Sequence, residues 1–308
     1  MATSGTTAFN MPFTDIAEEA WERAGRELRS GYDLQTARRS MNLMTIEWQN
    51  RGINMWTIEQ GVLDLVQGQA TYALPDDTID LLEQSIRTGA NNSVTQSDLN
   101  LNRISISTYS SIPNKITQSR PIQVVIHRDS GQTYPTSSTL GATATSTATT
   151  ITLSGVAGLP PAGFIKIGSE IINYGYIEGN VLQNCFRGQQ GTTAATHTIG
   201  GIAIPVYWEQ VPSVTVWPVP DNVQSYQIVY WRMRRVQDAG NGIETADMNF
   251  RFFPCLVAGL AYYIAMKVPE LVDRVPMLKA IYDEQFELAA AEDREKAPVR
   301  FVPRMGRI

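Results

Sequence analysis

The chain has 308 residues, a formal net charge of −5, 43% hydrophobic residues and 18% charged residues. These globular proportions exclude disorder over most of the chain, and the negative charge excludes a surface that wraps nucleic acid. The two cysteines are too few for a disulfide framework and lie in apolar runs, so both are predicted to be reduced core residues.

The N-terminal part predicts two helices joined by a short loop. Apolar residues recur on one face from Ile16 to Leu28, and Gly31 is expected to end the first helix. Asp33 is the predicted cap of the second helix, whose narrow apolar stripe continues until Gly52. Because the connection is short, the two helices should pack as an antiparallel hairpin.

From Ile53 the pattern changes to short runs of β-branched and aromatic residues separated by Pro, Gly, Asp and Asn. These runs predict an antiparallel β-sandwich from residues 56–130 and 206–249. The predicted strands are Trp56–Glu59, Gln69–Ala73, Leu82–Thr88, Ile122–His127, Val214–Trp217 and Tyr226–Arg232.

A shift in composition interrupts this sheet. Nine of the twenty residues from Thr133 to Thr152 are threonine. A loop tolerates a long insertion because closure entropy grows slowly with length, so a small β-domain inserted at residues 131–205 is predicted. Its predicted strands are Ile151–Leu153, Gly163–Ile167, Glu170–Tyr176 and Val181–Phe186.

Two further helices are predicted near the C-terminus. Pro254 suits the first turn of an apolar helix that Pro269 ends, and a second helix follows from about Glu270 to Arg294, with Pro276 as a point of division. Residues 1–55 and 250–296 are expected to form one helical domain. No membrane anchor and no secretory signal are predicted, because the longest apolar stretch is too short to span a bilayer and the N-terminus lacks an apolar core.

The final segment, Ala297–Ile308, is rich in arginine and contains two prolines and no acidic residue. It is predicted to be an extended basic arm. Such an arm gains from ordering only when it docks on a partner, and the alternative is a disordered chain end. Docking is the favoured interpretation, and the candidate contact residues are Arg300, Phe301, Val302, Arg304 and Arg307.

The residues suited to metal binding or nucleophilic catalysis are few. His127 and His197 are the two histidines, and neither has a Cys or His neighbour at metal-ligand spacing, so no zinc site or other cofactor is predicted. Cys185 and His197 could meet as a nucleophile pair, but a cysteine packed beside Phe186 is favoured.

Two pairs of carboxylates are the other catalytic candidates, because glycosidases use two carboxylates. Glu18 and Glu19 open a helix, where negative charge is favourable, and Asp76 and Asp77 follow a proline in a predicted turn. Each pair thus has a sufficient structural explanation. The chain also has few groups that titrate near neutral pH, so catalysis is not predicted.

The run Gly188–Gly191 lacks the Lys-Ser/Thr of a phosphate-binding loop and precedes no predicted helix. A β-turn braced by Arg187 is predicted instead. A set of aromatic residues could form a sugar-binding platform, although aromatic residues on sheets more often fill a core or an interface. The set comprises Trp208, Trp217, Tyr226, Tyr230 and Trp231.

A series of motifs runs along most of the chain outside residues 131–205. It begins with the helix-pair sequence RAGRELRSGYDLQTARRSMNLMTIEWQNRGINMWTIEQ and continues with GQATYALP at Gly68–Pro75. ISISTYSSIPNK, SRPIQVVIHR and VTVWPVPD follow, and then the helix that begins at Phe253. Each motif is moderately specific, and their order resembles that of the head-to-tail adaptor proteins of short-tailed bacteriophages, the tail tubular protein A-like connectors.

The resemblance implies a structural virion protein of the phage tail, assembled in the host bacterial cytoplasm. It implies a homo-oligomeric ring, expected to be a dodecamer, that joins the portal protein to the nozzle or tail tube. Double-stranded DNA would pass through the ring without specific binding, and a negative net charge suits such a channel. The C-terminal arm would reach into the portal, which would give Arg300, Phe301 and Arg304 their partner.

The predicted insertion departs from the smallest members of this family. Its sequence IKIGSEIINYGYIEGNVLQNCFRGQQGTTAATHTIG resembles a small β-module of many phage structural proteins. This resemblance implies an attachment site for a tailspike or fibre, with Arg187 and His197 as the contact residues.

The expected fold class is α+β. It combines a helical bundle from the N- and C-terminal helices with an antiparallel β-sandwich, a small inserted β-domain and an extended C-terminal tail. Two alternatives stay open, namely a tail-associated peptidoglycan hydrolase and a carbohydrate-binding tail module that works through its tryptophans.

Overall fold

The computed structural model describes residues 5, 9, 11–53, 55–90, 92, 94–200, 203–240 and 244–293. As predicted, the chain combines α-helices with antiparallel sheets. The described residues form two compact units, one from Met1–Ile58 with Val236–Ile308 and the other from Glu59–Arg235.

Helices α1 (Phe13–Ala24) and α2 (Gly31–Asn50) begin the first unit. The predicted end of α1 at Gly31 is wrong, because Gly25 adopts φ 101° and its amide bonds back into the last turn. The predicted cap of α2 at Asp33 is also wrong. The hydroxyl of Ser30 accepts a hydrogen bond from the Asp33 amide at 3.3 Å, which makes Ser30 the cap.

Three more α-helices follow within the described residues. Helix α3 (Ile106–Ser110) belongs to the second unit, whereas α4 (Phe253–Ala265) and α5 (Val275–Glu292) belong to the first. The helix predicted from about Glu270 to Arg294 is divided just before Pro276, as predicted, into a 3₁₀ segment and α5. A proline lies in the first turn of both α4 and α5. A 3₁₀ helix at Pro269–Arg274 joins them. None of the helices in the described ranges is long and apolar enough to cross a membrane.

Helix α4 supplies most of the core of the first unit. Its residues pack against α1, α2 and α5. Trp48 on α2 is almost fully buried, and its indole N–H donates to the hydroxyl of Tyr282 on α5 at 2.8 Å. The most completely buried members of this core are Ile16, Ala17, Ala20, Ala24, Ala37, Met44, Leu256, Leu260, Ala261, Ile264 and Ala265.

Gly259 on α4 permits the close approach of the neighbouring helices. A Cβ atom there would lie 2.7 Å from the Tyr282 ring and would also overlap the Met44 thioether. We expect Gly259→Ala to lower the free energy of unfolding by about 1–3 kcal/mol, because the core is overpacked and the ring is held by Trp48. Chemical denaturation measures the loss, and Met44→Ala in the same chain should recover part of it. A Gly259→Ala chain of unchanged stability would contradict the close packing of α4.

Strand β1 begins at Ile58, one residue before the second unit, and the other strands lie within that unit. In chain order the strands are β1 Ile58–Asp64, β2 Thr71–Ala73, β3 Thr78–Thr88, β4 Ser97–Asn100, β5 Asn102–Arg103, β6 Gln123–His127, β7 Gln132–Thr139, β8 Ile151–Thr152, β9 Gly163–Ile167, β10 Glu170–Tyr174, β11 Tyr176–Glu178, β12 Val181–Gln183, β13 Phe186–Gln189, β14 Pro205–Gln210, β15 Ser213–Trp217 and β16 Tyr226–Arg234.

These strands form four sheets. Two four-stranded sheets have the orders β1-β16-β3-β4 and β2-β15-β6-β5, a five-stranded sheet has the order β13-β10-β9-β14-β7, and β11-β12-β8 forms a small sheet. One hydrophobic core takes residues from both four-stranded sheets, including Ile86, Val124, Val216 and Ile228. A second core lies on the five-stranded sheet and its surroundings and includes the fully buried Ile165.

Most predicted strands are present, with shifted ends. The prediction of Val181–Phe186 as one strand is wrong, because this segment is divided between β12 and β13, which belong to different sheets. The prediction of Gly163–Ile167 matches β9, and Trp56 lies in a 3₁₀ helix that precedes β1. Strand β7 was missed, although it pairs with β14 from Gln132 to Thr139. Its residues are mostly polar and half-exposed, so it carries little of the apolar alternation that identifies a strand.

Candidate functional site

Glu170, a fully buried carboxylate at the start of β10, binds both side chains assigned above to a tailspike or fibre contact. Arg187 donates from Nε to Oε1 at 2.8 Å and from Nη2 to Oε2 at 2.7 Å. His197 Nε2 lies 2.8 Å from Oε2, and since an ionised carboxylate only accepts, this nitrogen carries the proton. The structure thus brings together these three residues, which we call the Glu170 cluster.

Backbone groups complete the hydrogen bonding of the Glu170 cluster. The amides of Gly188 and Ala195 each donate to Glu170 at 3.1 Å. Arg187 Nη2 donates to the Ala195 carbonyl at 2.6 Å, and Nη1 donates to the Thr145 carbonyl. The cluster therefore ties two strands of the five-stranded sheet to the loop segments around Thr145 and Ala195.

The electrostatic balance of the cluster favours an ionised acid. Burial raises the pKa of Glu170, but hydrogen bonds from Arg187, the Ala195 amide, His197 and the Gly188 amide outweigh burial and bring that pKa to about 2. The carboxylate is therefore charged at neutral pH and is saturated with donors. Such a carboxylate connects the segments that donate hydrogen bonds to it, and it is poorly suited to exchange protons with a substrate.

Little of the Glu170 cluster faces solvent. The side chain of Arg187 is 7% exposed, and that of His197 is 12% exposed. As predicted, Arg187 braces the adjacent turn, because its carboxylate partner also binds the Gly188 amide. A direct contact of Arg187 and His197 with a tailspike or fibre stays a prediction.

The β-turn predicted at Gly188–Gly191 is present one residue later, from Gln189 to Thr192. The amide of Thr192 donates to the Gln189 carbonyl at 3.1 Å. Gln190 (φ 56°) and Gly191 (φ 72°) are both left-handed, which is the backbone of a tight hairpin-type turn.

This turn contacts the Gly68–Pro75 segment that carries the GQATYALP motif. Gln190 Nε2 donates to the Leu74 carbonyl at 3.0 Å, and Gln69 Nε2 donates to Gln189 Oε1 at 3.1 Å. The glycine-rich run thus has a structural explanation, namely the attachment of the five-stranded sheet to the segment that carries β2.

The structure does not pair Cys185 with His197 as a nucleophile and a base. The Cys185 thiol donates to the Leu182 carbonyl at 3.5 Å, whereas His197 Nε2 binds Glu170. Burial raises the pKa of Cys185 to about 12, even though Arg187 lowers it. The thiol is therefore protonated at neutral pH, as expected of a packed cysteine.

Three of the four candidate carboxylates, Glu19, Asp76 and Asp77, have hydrogen-bond partners. Glu19 accepts a hydrogen bond from Arg23 on the same helix at 2.7 Å. In the predicted turn, Asp76 accepts from Gln190, and Asp77 accepts from Arg232. The two aspartates thus bind different partners, one on the glycine-rich turn and one on β16.

The aromatic set does not form one platform. Trp208, Trp217 and Trp231 lie on β14, β15 and β16, which belong to three different sheets. Tyr226 and Tyr230 are buried in the core between the four-stranded sheets. His127 is also committed to the fold, since its Nε2 lies 3.0 Å from the Thr215 hydroxyl. In the part of the chain that the structure covers, no group of three or more His, Cys, Asp or Glu residues could hold a metal ion.

Glu170 is the site residue that sequence analysis missed. It stands between apolar runs without a recognisable motif, and its two side-chain partners lie 17 and 27 residues further along the chain. The arm residues Arg300, Phe301, Val302, Arg304 and Arg307 lie outside the described residues, so portal binding stays a prediction.

Comparison of the sequence with protein-family models and with curated proteins finds no match. The ordered sequence motifs and the geometry of the described residues are therefore the basis for inferring a function.

Proposed function

We propose that the chain is a structural virion protein, a subunit of the adaptor ring that joins the portal to the tail nozzle or tube and lines part of the DNA channel. The observation that carries the proposal is the ordered motif series, from the N-terminal helix pair to the closing helices. The shared core of α1, α2, α4 and α5 supports it, because both ends of the motif series contribute to that core.

The proposal also includes the arrangement of the sheets and helices into a sandwich, an inserted module and a bundle. A β-sandwich formed by the two four-stranded sheets is supported by the core that both sheets share. An inserted β-module at residues 131–205 is supported by the separate core around Ile165. The helices of the first unit would form the bundle, and residues 297–308 would form the arm.

The proposed partners follow the same assignment. Identical subunits would close a ring, expected to be a dodecamer, and the arm with Arg300, Phe301 and Arg304 would dock on the portal. The inserted module would hold a tailspike or fibre, and the Glu170 cluster supports this role by fixing the loops of that module. The protein would act without catalysis and without a cofactor, in the tail of the virion.

Removal of residues 297–308 is expected to abolish binding to the portal protein. The arm carries three arginines and several apolar residues, which are the proposed contacts with the portal. Analytical ultracentrifugation of the full chain with its portal protein should reveal a large closed species, and the shortened chain should sediment without the portal.

The matched control is a chain in which Arg300, Arg304 and Arg307 are replaced by lysine, which keeps the charge and removes the planar donor group. Intermediate binding by this variant would assign part of the affinity to arginine geometry. A full-length chain that stays monomeric with its portal protein would overturn the proposed function, and an assay for clearing of peptidoglycan would then be the next measurement.

A further inference from the structure

Helix α2 carries a continuous outer stripe that faces away from the core. Its exposed positions are 32, 35, 39, 43, 46 and 50, a spacing of three and four residues that follows one helix face. Three of them are large apolar or aromatic residues with high exposure, namely Tyr32 (70%), Leu43 (58%) and Ile46 (53%). Gln35 and Arg39 separate Tyr32 from Leu43 on this face, so the adjacent apolar pair is Leu43 and Ile46. Neighbouring exposed apolar residues indicate an interaction surface, in contrast to scattered ones.

An open groove of about 550 Å³ lies beside this stripe and includes Tyr32 and Leu43 in its wall. The wall of the groove carries a net positive charge, because it contains three cations, Arg26, Arg39 and Lys267, and two acids, Asp33 and Glu270. Asp33 is buried and accepts a hydrogen bond from the Arg29 amide. None of the three cations forms an ion pair with a carboxylate within the described ranges. Burial and the neighbouring Arg39 lower the pKa of Lys267, so an incoming carboxylate would relieve an unfavourable arrangement of like charges.

Helix α5 carries a second outer stripe, which also has exposed apolar residues but lies beside acidic ones. Its inner face packs into the core through Leu278 and Tyr282. On the outer side, Met277 (52% exposed), Ile281 (39%) and Leu288 (60%) lie at the spacing of a helix–helix seam, with Glu284 in register between them.

Acidic residues flank the apolar positions of α5. Asp283, Glu284 and Glu287 are exposed beside the stripe, and Lys279 is the nearby base. No ion pair within the described part of the chain involves these three acids. Both outer faces therefore carry exposed apolar residues, but cations outnumber acids in the groove beside α2, whereas acids outnumber cations beside the α5 stripe.

We propose that the α5 stripe of one copy docks on the α2 stripe and its basic groove in the next copy. The occupant is a second copy because one chain presents both halves of the match, with complementary charge and helices of similar length, 18 and 20 residues. The contact is head-to-tail, since the two faces differ, and repeated head-to-tail contacts close into a ring when the rotation permits. This inference rests on the proposed function and assigns the subunit interface of the ring.

Two full-length variants test the interface. The groove variant carries Leu43→Asp and Ile46→Asp, and the helix variant carries Ile281→Asp and Leu288→Asp. Each change places a carboxylate at an exposed position, so the fold should be little affected, and circular dichroism checks this. The matched control carries Val94→Asp and Ile116→Asp, which are also exposed apolar positions (89% and 81%) but lie in the second unit.

Native mass spectrometry over a concentration series measures the association. The wild type and the control should form the same oligomers, and each interface variant alone should associate roughly 100-fold more weakly, because two central apolar contacts are lost. A mixture of the two variants should form a 1:1 dimer that cannot grow. In that dimer, the intact α5 of the groove variant meets the intact groove of the helix variant.

Two results would overturn the proposed interface. Rings that form equally well from either variant would place the subunit contact elsewhere and leave the adaptor function standing. Variants that fail to associate alone and also fail to form the 1:1 dimer would exclude the head-to-tail pairing of α5 with α2. A wild-type chain that stays monomeric alone and with its portal protein would overturn the interface and the proposed function together.

Discussion

Replacing Glu170 with alanine is expected to lower the local stability of the five-stranded sheet by about 3–5 kcal/mol, the usual cost of removing one partner of a buried ion pair. Arg187 would remain almost buried without its carboxylate, and the amides of Gly188 and Ala195 would lose their acceptor. The loops held by the cluster would open more often than the rest of the second unit.

Hydrogen exchange followed by mass spectrometry measures this opening, because it reports the free energy of local unfolding for each peptide. Peptides that cover β9, β10 and β13 should exchange faster in Glu170→Ala, whereas those from α4 should be unchanged. Glu178→Ala is the matched control, since Glu178 is an exposed carboxylate on β11 whose hydrogen bond to Gln183 is at the surface. Equal exchange in the two variants would show that the cluster does not stabilise the sheet.

The sequence predicted the elements whose periodicity is strong. Strand β9 was placed by its apolar run, and α4 was placed by the proline in its first turn. The end of α1 was misplaced because both Gly25 and Gly31 can terminate a helix, and sequence alone does not show which of them adopts the left-handed backbone.

The candidate site was much less predictable than the fold. The Glu170 cluster depends on strand pairing that brings Arg187 beside β10, and no local pattern reports such pairing. Arg187 could be assigned to a turn because of its glycine neighbours, but its acidic partner could be found only from the three-dimensional structure. The outer stripes of α2 and α5 were also missed, because helical periodicity in a sequence mainly identifies the face that packs into the core.

The stability of the five-stranded sheet is also expected to depend on acidity through Glu170. The pKa of this carboxylate falls from its usual 4.5 to about 2 in the folded chain, because hydrogen bonds outweigh burial. A group with a lowered pKa contributes stability above its unfolded pKa, and this contribution is lost as pH falls through the folded value. The expected loss between about pH 4.5 and pH 2 is about 3 kcal/mol, from the size of the pKa change.

Other groups titrate as well, so the measurement is a difference between two chains. Burial lowers the pKa of His127, which removes stability as pH falls below about 6.5, the usual histidine value, in any chain that keeps this residue. Glu170→Gln keeps the shape of the side chain and removes its titration. Denaturant melts of the five-stranded sheet at successive pH values measure the local free energy of unfolding of each chain. The value for the wild type minus the value for Glu170→Gln should therefore fall only below about pH 4.5. A difference that stays constant from neutral pH to pH 2 would mean that the carboxylate is not held by Arg187, His197 and the two amides in the way the distances indicate.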